Sequence, residues 1–108
     1  MITSITKIKL KNILKLPKFF FISSKIFKQA RSAQGNKGMR SRSTGLTFYT
    51  LTLWDDEKSM MDFMLSGPHK EAMKIIRNFS SDYGSSRWNS TDMPSWDDAL
   101  SKLASDKR

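Results

Sequence analysis

The fold of this chain is decided by residues 47–57, Thr47-Phe48-Tyr49-Thr50-Leu51-Thr52-Leu53-Trp54-Asp55-Asp56-Glu57. The first eight of these residues are β-branched, aromatic or leucine, without a charge or a helix breaker, which predicts a strand. The three acids stop that strand and open a helix, because carboxylates cap free backbone N–H groups and complement the helix dipole. The pattern that follows is helical over 58–79, with an interruption at Ser66-Gly67-Pro68.

Two further strands and a helix are predicted before this stretch. Ser4 to Leu10 alternates between apolar and polar positions, which predicts a strand. Pro17 suits the first turn of a helix whose apolar residues recur at three and four residues, and Gly35 suits its end. Weak alternation over 38–43 and a turn at Thr44-Gly45 predict a hairpin into the central strand.

After the central helix we expect a loop over 80–85, a short strand at Arg87-Trp88-Asn89 and a terminal helix over about 95–105 with Ser95 as its N-cap. This order predicts the α+β class: a ferredoxin-like βαββαβ sandwich with an antiparallel sheet and an extra C-terminal helix. We expect a single domain over 1–108, with its core at about 4–90. Helices would cover one sheet face and a second subunit the other, so a homodimer that encloses a cavity is predicted.

The positive charge lies in the first part of the chain. Residues 1–45 hold eleven Lys or Arg and no acid, whereas residues 46–108 hold eight bases and ten acids, so the net charges of +11 and −2 sum to +9. Such asymmetry is typical of a nucleic-acid or membrane-surface module, although a solvated lysine-rich face explains it without a partner. No nucleic-acid motif is present in the sequence, so a nucleic-acid partner is not expected.

The sequence also limits the metal chemistry and the location that we expect. Cysteine is absent and His69 is the only histidine, which excludes disulfides and thiolate sites, and no metal site is expected. No apolar run is long enough for a transmembrane segment. The apolar run within 16–22 is short for a secretory signal, so a cytoplasmic location is expected.

Two strings of the sequence carry a family resemblance: Leu51-Thr52-Leu53-Trp54-Asp55-Asp56-Glu57, and Met61-x-Phe63-Met64-x-Ser66-Gly67-x-His69-x-x-Ala72-Met73. Together they resemble the strand-to-helix signature of the dimeric α/β-barrel superfamily, in particular its antibiotic-biosynthesis-monooxygenase-like and spheroidene-monooxygenase-like members. The resemblance implies a homodimer of ferredoxin-like subunits, each with a cavity that serves some relatives for oxidising aromatic or polyene substrates and others for haem. The haem-degrading relatives carry an axial histidine in a Lys-Glu-Ala-His string. Here the string reads Lys70-Glu71-Ala72-Met73, so no cofactor is expected, and haem stays possible but is disfavoured.

The resemblance implies a cofactor-independent monooxygenase-like enzyme that binds a small apolar or conjugated substrate. Two alternatives stay open: a non-catalytic ligand-binding or haem-binding barrel, and the basic nucleic-acid or membrane-surface module.

Two residues are candidates for catalysis. His69 has a pKa near neutrality and suits a general base or a substrate hydrogen bond, but it can equally be a helix-cap or packing histidine. Tyr49 can donate a proton to an oxygenated substrate, but tyrosines on half-buried strands are usually structural. The candidates for substrate binding are Trp54, Arg40, Arg42, Met64 and Met73. Each of these also has a simpler structural explanation: a core plug, solvent-facing arginines or ordinary methionine core.

Overall fold

The strand predicted over 47–54 is present with those bounds and lies inside a four-stranded antiparallel sheet. The chain is described by a computed structural model over residues 1–106. Its strands are β1 (Ile2–Leu10), β2 (Asn36–Thr44), β3 (Thr47–Trp54) and β4 (Ser80–Asn89), in the spatial order β2-β3-β1-β4. A 3-10 turn (Ile13–Lys15) leads into α1 (Leu16–Ser32), and α2 (Glu57–Met64), α3 (Gly67–Phe79) and α4 (Trp96–Asp106) complete the chain. The predicted ferredoxin-like α+β fold with a C-terminal helix is confirmed.

The turn and cap signals of the sequence act where they were predicted. The Asp56 carboxylate accepts the Ser59 backbone N–H at 2.8 Å and begins α2, and this hydrogen bond lowers the pKa of Asp56. Gly45, with φ +59°, forms the hairpin turn that pairs Thr44 with Thr47. Gly67, also with φ +59°, marks the break between α2 and α3.

The prediction of a loop over 80–85 is wrong, because these residues form the first part of β4. Ser, Gly and Asp have low strand propensity, so the local sequence argued against a strand. The backbone nevertheless pairs with β1 along its whole length, from Leu10 opposite Ser80 to Ile2 opposite Asn89. Tertiary pairing therefore overrides local preference here.

The second face of the sheet is covered by α4 and not left bare. Ile5 and Leu51 are 0% exposed in the single chain, where they pack with Ala99 and Leu103 of α4. The expectation that this face needs a second subunit is therefore wrong for the part of the sheet around Ile5 and Leu51. The homodimer itself stays a prediction.

On the other face, the helices and the sheet form two separate core clusters. One cluster centres on Trp54, which packs with Ala30, Met60 and Phe63. The other joins Leu10, Phe19 and Phe79 near the opposite end of the strands. Residues of both clusters line one hollow, so the helix side of the sheet is open at its centre. None of the helices within residues 1–106 is long and apolar enough to cross a bilayer.

Candidate functional site

A cavity of about 790 Å³ lies between the helix-facing side of the sheet and helices α1, α2 and α3. It forms within one chain and is partly open to its surroundings. This volume is in the range of pockets that bury a drug-sized ligand.

The floor of the cavity is a row of hydroxyl groups. The strand register places Ser41 opposite Thr50, Thr50 opposite Thr6, and Thr6 opposite Ser85, so each strand contributes one residue. All four residues line the cavity. Residues two apart on a strand share a face, so further hydroxyls from the same sheet flank this row. These flanking residues are Ser4, Ser43 and Thr52.

The helices that close the cavity are apolar where they face it. Their lining side chains are mainly aromatic, aliphatic or thioether: Phe19, Phe20, Ile26, Phe27, Met60 and Phe63. Methionine is flexible and polarisable, and it adapts to irregular apolar ligands. The cavity is therefore amphipathic, with a polar floor on the sheet and an apolar roof on the helices.

His69 lines the cavity from the first turn of α3. Its Nδ1 lies 3.1 Å from the carbonyl oxygen of Met64. A carbonyl only accepts, so the neutral ring carries its proton on Nδ1 and keeps the lone pair on Nε2. Burial lowers the pKa of His69, and the hydrogen bond to Met64 opposes that shift in part. The imidazole is thus a neutral base with a fixed tautomer.

Two other rings hold the imidazole in place. The Phe63 ring centroid lies 4.9 Å from that of His69 and 5.1 Å from that of Trp54. Trp54 is fully buried, which makes it a rigid support at this end of the cavity. Of the two explanations for Trp54, pocket wall and core plug, the structure supports both, because the residue lines the cavity and anchors a core cluster.

Gln29 of α1 ties the helix break to this site, and no pattern in the sequence pointed to it. Its Nε2 donates to the carbonyl oxygens of Phe63 at 3.1 Å and Ser66 at 2.8 Å. Its Oε1 accepts the backbone N–H of His69 at 2.8 Å. Gln29 therefore caps the end of α2 and the start of α3 together, where the N-cap residue Ser66 makes no side-chain cap bond.

Tyr83 is a second residue that sequence analysis missed, because it fell in the predicted loop. It lines the cavity, and its hydroxyl donates to the Met73 sulfur at 3.8 Å. Burial raises the pKa of Tyr83, against a smaller opposing effect of a hydrogen bond with Ser85. Tyr83 is therefore held as a protonated donor.

The predicted site residues fall into two groups. His69, Trp54, Met64 and Met73 line the same cavity. Tyr49 is also among the residues that line the cavity, although strand alternation turns its side chain away from those of its neighbours on β3 and it packs with the cluster beneath α4.

The two arginines lie on β2, and both are exposed. Arg42 borders the cavity, whereas Arg40 does not line it. Over residues 1–106, no group of three or more His, Asp or Glu side chains is placed to hold a metal ion.

Comparison with known proteins identifies the fold through structures alone. No protein-family model matches the chain, and no curated protein sequence matches it. A conserved protein from Methanosarcina mazei Go1 is 14% identical, with a TM-score of 0.74 over 83% of this chain and 92% of its own. An antibiotic biosynthesis monooxygenase is 8% identical, with a TM-score of 0.74 over 85% of this chain and 100% of its own.

SnoaB from Streptomyces nogalater, described as a cofactor-independent oxygenase, is 7% identical, with a TM-score of 0.70 over 85% of this chain and 94% of its own. Identities this low establish the fold and carry no activity to this chain. The resemblance seen in the sequence is confirmed at that level: the chain has the ferredoxin-like fold of the antibiotic-biosynthesis-monooxygenase-like structures.

Proposed function

We propose that this protein is a cofactor-independent monooxygenase-like enzyme that oxidises a small apolar or conjugated molecule inside the cavity. The observation that carries the proposal is His69, a partly buried imidazole beside a cavity of suitable size, whose hydrogen bond to Met64 leaves Nε2 without a proton. The hydrogen bond to Met64 fits a helix-capping histidine equally well, but such a histidine needs no hollow beside it. The fold shared with SnoaB, a cofactor-independent oxygenase, adds support.

The amphipathic lining defines the substrate class. A flat conjugated molecule packs its faces against the apolar helices, while its oxygen atoms hydrogen-bond to the row of hydroxyls on the sheet. Tyr83 supplies a further protonated donor to a carbonyl or phenolate of the substrate. Such contacts orient a substrate without charged groups.

The reaction needs a substrate carbon with two hydrogens next to the conjugated system. His69 Nε2 removes one of these hydrogens as a proton, and the resulting carbanion transfers an electron to O2. The two radicals combine into a C–O bond, and the imidazolium returns the proton to give a hydroperoxide. The second hydrogen leaves with the outer oxygen as water, and the carbon becomes a carbonyl. Both reducing equivalents come from the substrate, so no cofactor takes part.

Oxygen uptake by the purified chain, without added metal or cofactor, tests this proposal. Dithranol, a hydroxylated anthrone, is a suitable probe because it is planar and apolar and has an acidic CH2 group. We expect one O2 consumed per carbonyl formed, and a rate lowered by about 10²–10⁴-fold in His69→Ala. Absence of uptake for dithranol and for related conjugated CH acids would overturn the proposal.

Three further measurements separate catalysis from simple binding. Tyr83→Phe is expected to slow the reaction, whereas Trp88→Phe, whose side chain packs beneath α4 and does not line the cavity, is the control and should not. If the natural chain binds dithranol but does not oxidise it, the protein is instead a non-catalytic ligand-binding barrel. A Soret band that appears on haem addition and is lost in His69→Ala would identify a haem-binding one.

The proposal also includes a cytoplasmic location and a homodimer. Since α4 covers the centre of one sheet face, a dimer interface on that face has to include α4 or lie beside it. Sedimentation of the full chain tests the dimer, and cell fractionation tests the location.

A further inference from the structure

Four of the large apolar residues most exposed within residues 1–106 lie close together in the chain, just before and within the first turns of α1. Ile13 is 68% exposed, Leu14 83%, Phe20 54% and Phe21 62%. Four large apolar side chains exposed to this extent in one short segment are unusual on a surface that binds nothing, and they are typical of a binding site. The proposed reaction makes no use of Ile13, Leu14 or Phe21.

The local structure holds these side chains outward and does not leave them on a frayed end. Asn12 caps the 3-10 turn by accepting the Leu14 backbone N–H at 3.1 Å, and Pro17 then fixes the first turn of α1. The backbone N–H of Lys11 donates to the Phe79 carbonyl at 2.8 Å, which ties the start of this segment to the end of α3.

Lysines surround this apolar segment. Lys18 and Phe21, three residues apart, lie along one stripe of α1, and the Nζ of Lys18 lies 5.4 Å from the ring centroid of Phe79. Lys25 continues the stripe, and its Nζ lies 4.4 Å from the Phe21 ring centroid. Lys11 and Lys15 belong to the same segment, and the first 45 residues contain no acid. We call Ile13, Leu14, Phe20, Phe21 and these four lysines the α1 patch.

We infer that the α1 patch docks the protein on an anionic lipid bilayer. Exposed aliphatic and aromatic side chains enter the boundary between headgroups and acyl chains, while lysines around them bind lipid phosphates. The ion pairs found among residues 1–106 involve none of the four lysines of the patch, so their charge is available to an anionic surface.

Other partners fit the α1 patch less well. A nucleic acid would bind the lysines through its phosphates, but it gains nothing from exposed Ile13 and Leu14. A second copy of the chain, related by a two-fold axis through the patch, would bring like charges together. A bilayer surface with anionic lipids complements both the charge and the apolar groups.

Docking also brings the cavity to the membrane. Phe20 is part of the α1 patch and lines the cavity, where its ring lies 5.7 Å from that of Phe48. An apolar molecule dissolved in the bilayer then reaches the cavity without crossing water. Only this delivery step rests on the proposed function, because docking itself requires no catalysis.

Vesicle flotation of the full chain tests the inference. We expect binding to mixed phosphatidylcholine–phosphatidylglycerol vesicles, weaker binding to phosphatidylcholine alone, and release by salt. The double variant Ile13→Ser/Leu14→Ser should lower the affinity at least about tenfold, because it removes two side chains that the bilayer buries. Leu65→Ser is the matched control, since Leu65 is 63% exposed but lies outside the patch, and it should bind normally.

The charge is tested in the same way. Lys15→Gln/Lys18→Gln should weaken binding by roughly fivefold per lysine, whereas Lys70→Gln/Lys102→Gln, on α3 and α4, should not. Thermal unfolding checks that each variant is folded, and Leu14→Ala alone replaces the double variant if that one unfolds.

Each of three results would overturn the inference. The first is absence of binding to the mixed vesicles. The second is binding to single-stranded DNA that the lysine variants abolish and Ile13→Ser/Leu14→Ser leaves intact. The third is a dimer in sedimentation that Ile13→Ser/Leu14→Ser dissociates. Oxygen uptake is measured without lipid, so failure of docking and failure of the proposed function are distinguishable.

Discussion

Replacing Gln29 with alanine should destabilise the protein and loosen His69 in one step. The side chain makes three hydrogen bonds, to the carbonyls of Phe63 and Ser66 and from the backbone N–H of His69. Each such bond contributes about 1 kcal/mol net to stability. Water can replace the more exposed hydrogen bond to Ser66, and alanine is a better helix former than glutamine by less than about 0.5 kcal/mol. Both effects reduce the expected loss of stability. The free energy of unfolding should therefore fall by about 2 kcal/mol.

Urea unfolding and NMR titration measure the two effects. We expect the free energy of unfolding to fall with an unchanged m-value, and the pKa of His69 to return toward its ordinary value as α3 loses its tether. Lys28→Ala, an exposed substitution one residue earlier in α1, is the control for helix propensity. A loss no larger than that of Lys28→Ala, with an unchanged His69 titration, would refute the capping role of Gln29.

Gln29→Glu separates the donor from the acceptor. The carboxylate can still accept the His69 N–H, but it faces the Phe63 and Ser66 carbonyl oxygens without a proton to donate. This variant should be as unstable as Gln29→Ala at neutral pH. It should recover part of the loss at acidic pH, where the protonated side chain donates again. A variant as stable as the natural chain at neutral pH would contradict this.

Three further changes test other parts of the structure. NMR should show that His69 has a pKa below 6.5 and carries its proton on Nδ1. Because the unfolded chain binds this proton more readily than the folded chain, the free energy of unfolding should fall as the pH drops through 6.5 toward the folded-state pKa. Gly67→Ala should cost about 1–2 kcal/mol in urea unfolding, and more than Gly45→Ala. Both glycines have φ +59°, but a Cβ at Gly67 would lie 3.3 Å from Gln29 Nε2, whereas a Cβ at Gly45 would contact nothing. Equal losses of stability in the two variants would contradict the tight contact at Gly67. Leu103→Asp should detach α4, lower stability and produce association beyond that of the natural chain in sedimentation, whereas a variant as stable and no more associated than the natural chain would show that α4 does not protect the sheet.

Elements with strong local signals could be predicted from the sequence. The central strand has its predicted bounds because β-branched and aromatic residues run up to an acidic cap, and Asp56 performs that capping. The break before α3 follows from Gly67 and Pro68, which a continuous helix does not tolerate. These signals act over a few residues, so no tertiary information was needed.

The site depended on contacts that are distant in sequence. Tyr49 could be predicted as a catalytic candidate because its strand was obvious, while Tyr83 lay in a segment of low strand propensity. Only the register of β4 against β1 places Tyr83 in the cavity, and only α4 shows that Tyr49 packs on the opposite face. Gln29 could not be predicted, because its three partners lie between 34 and 40 residues away.

The row of hydroxyls supports the proposal that this cavity binds a ligand. A chain of 108 residues has a small core, so stability alone would favour Val, Ile or Leu on the helix-facing side of the sheet. Each buried apolar side chain there would contribute about 1.5–3 kcal/mol. Instead Ser41, Thr50, Thr6 and Ser85 cross the centre of the sheet, and the apolar residues form separate clusters around a hollow. Polar residues in place of stabilising apolar ones, together with a neutral histidine at the cavity wall, fit a binding site for an oxygenated apolar molecule.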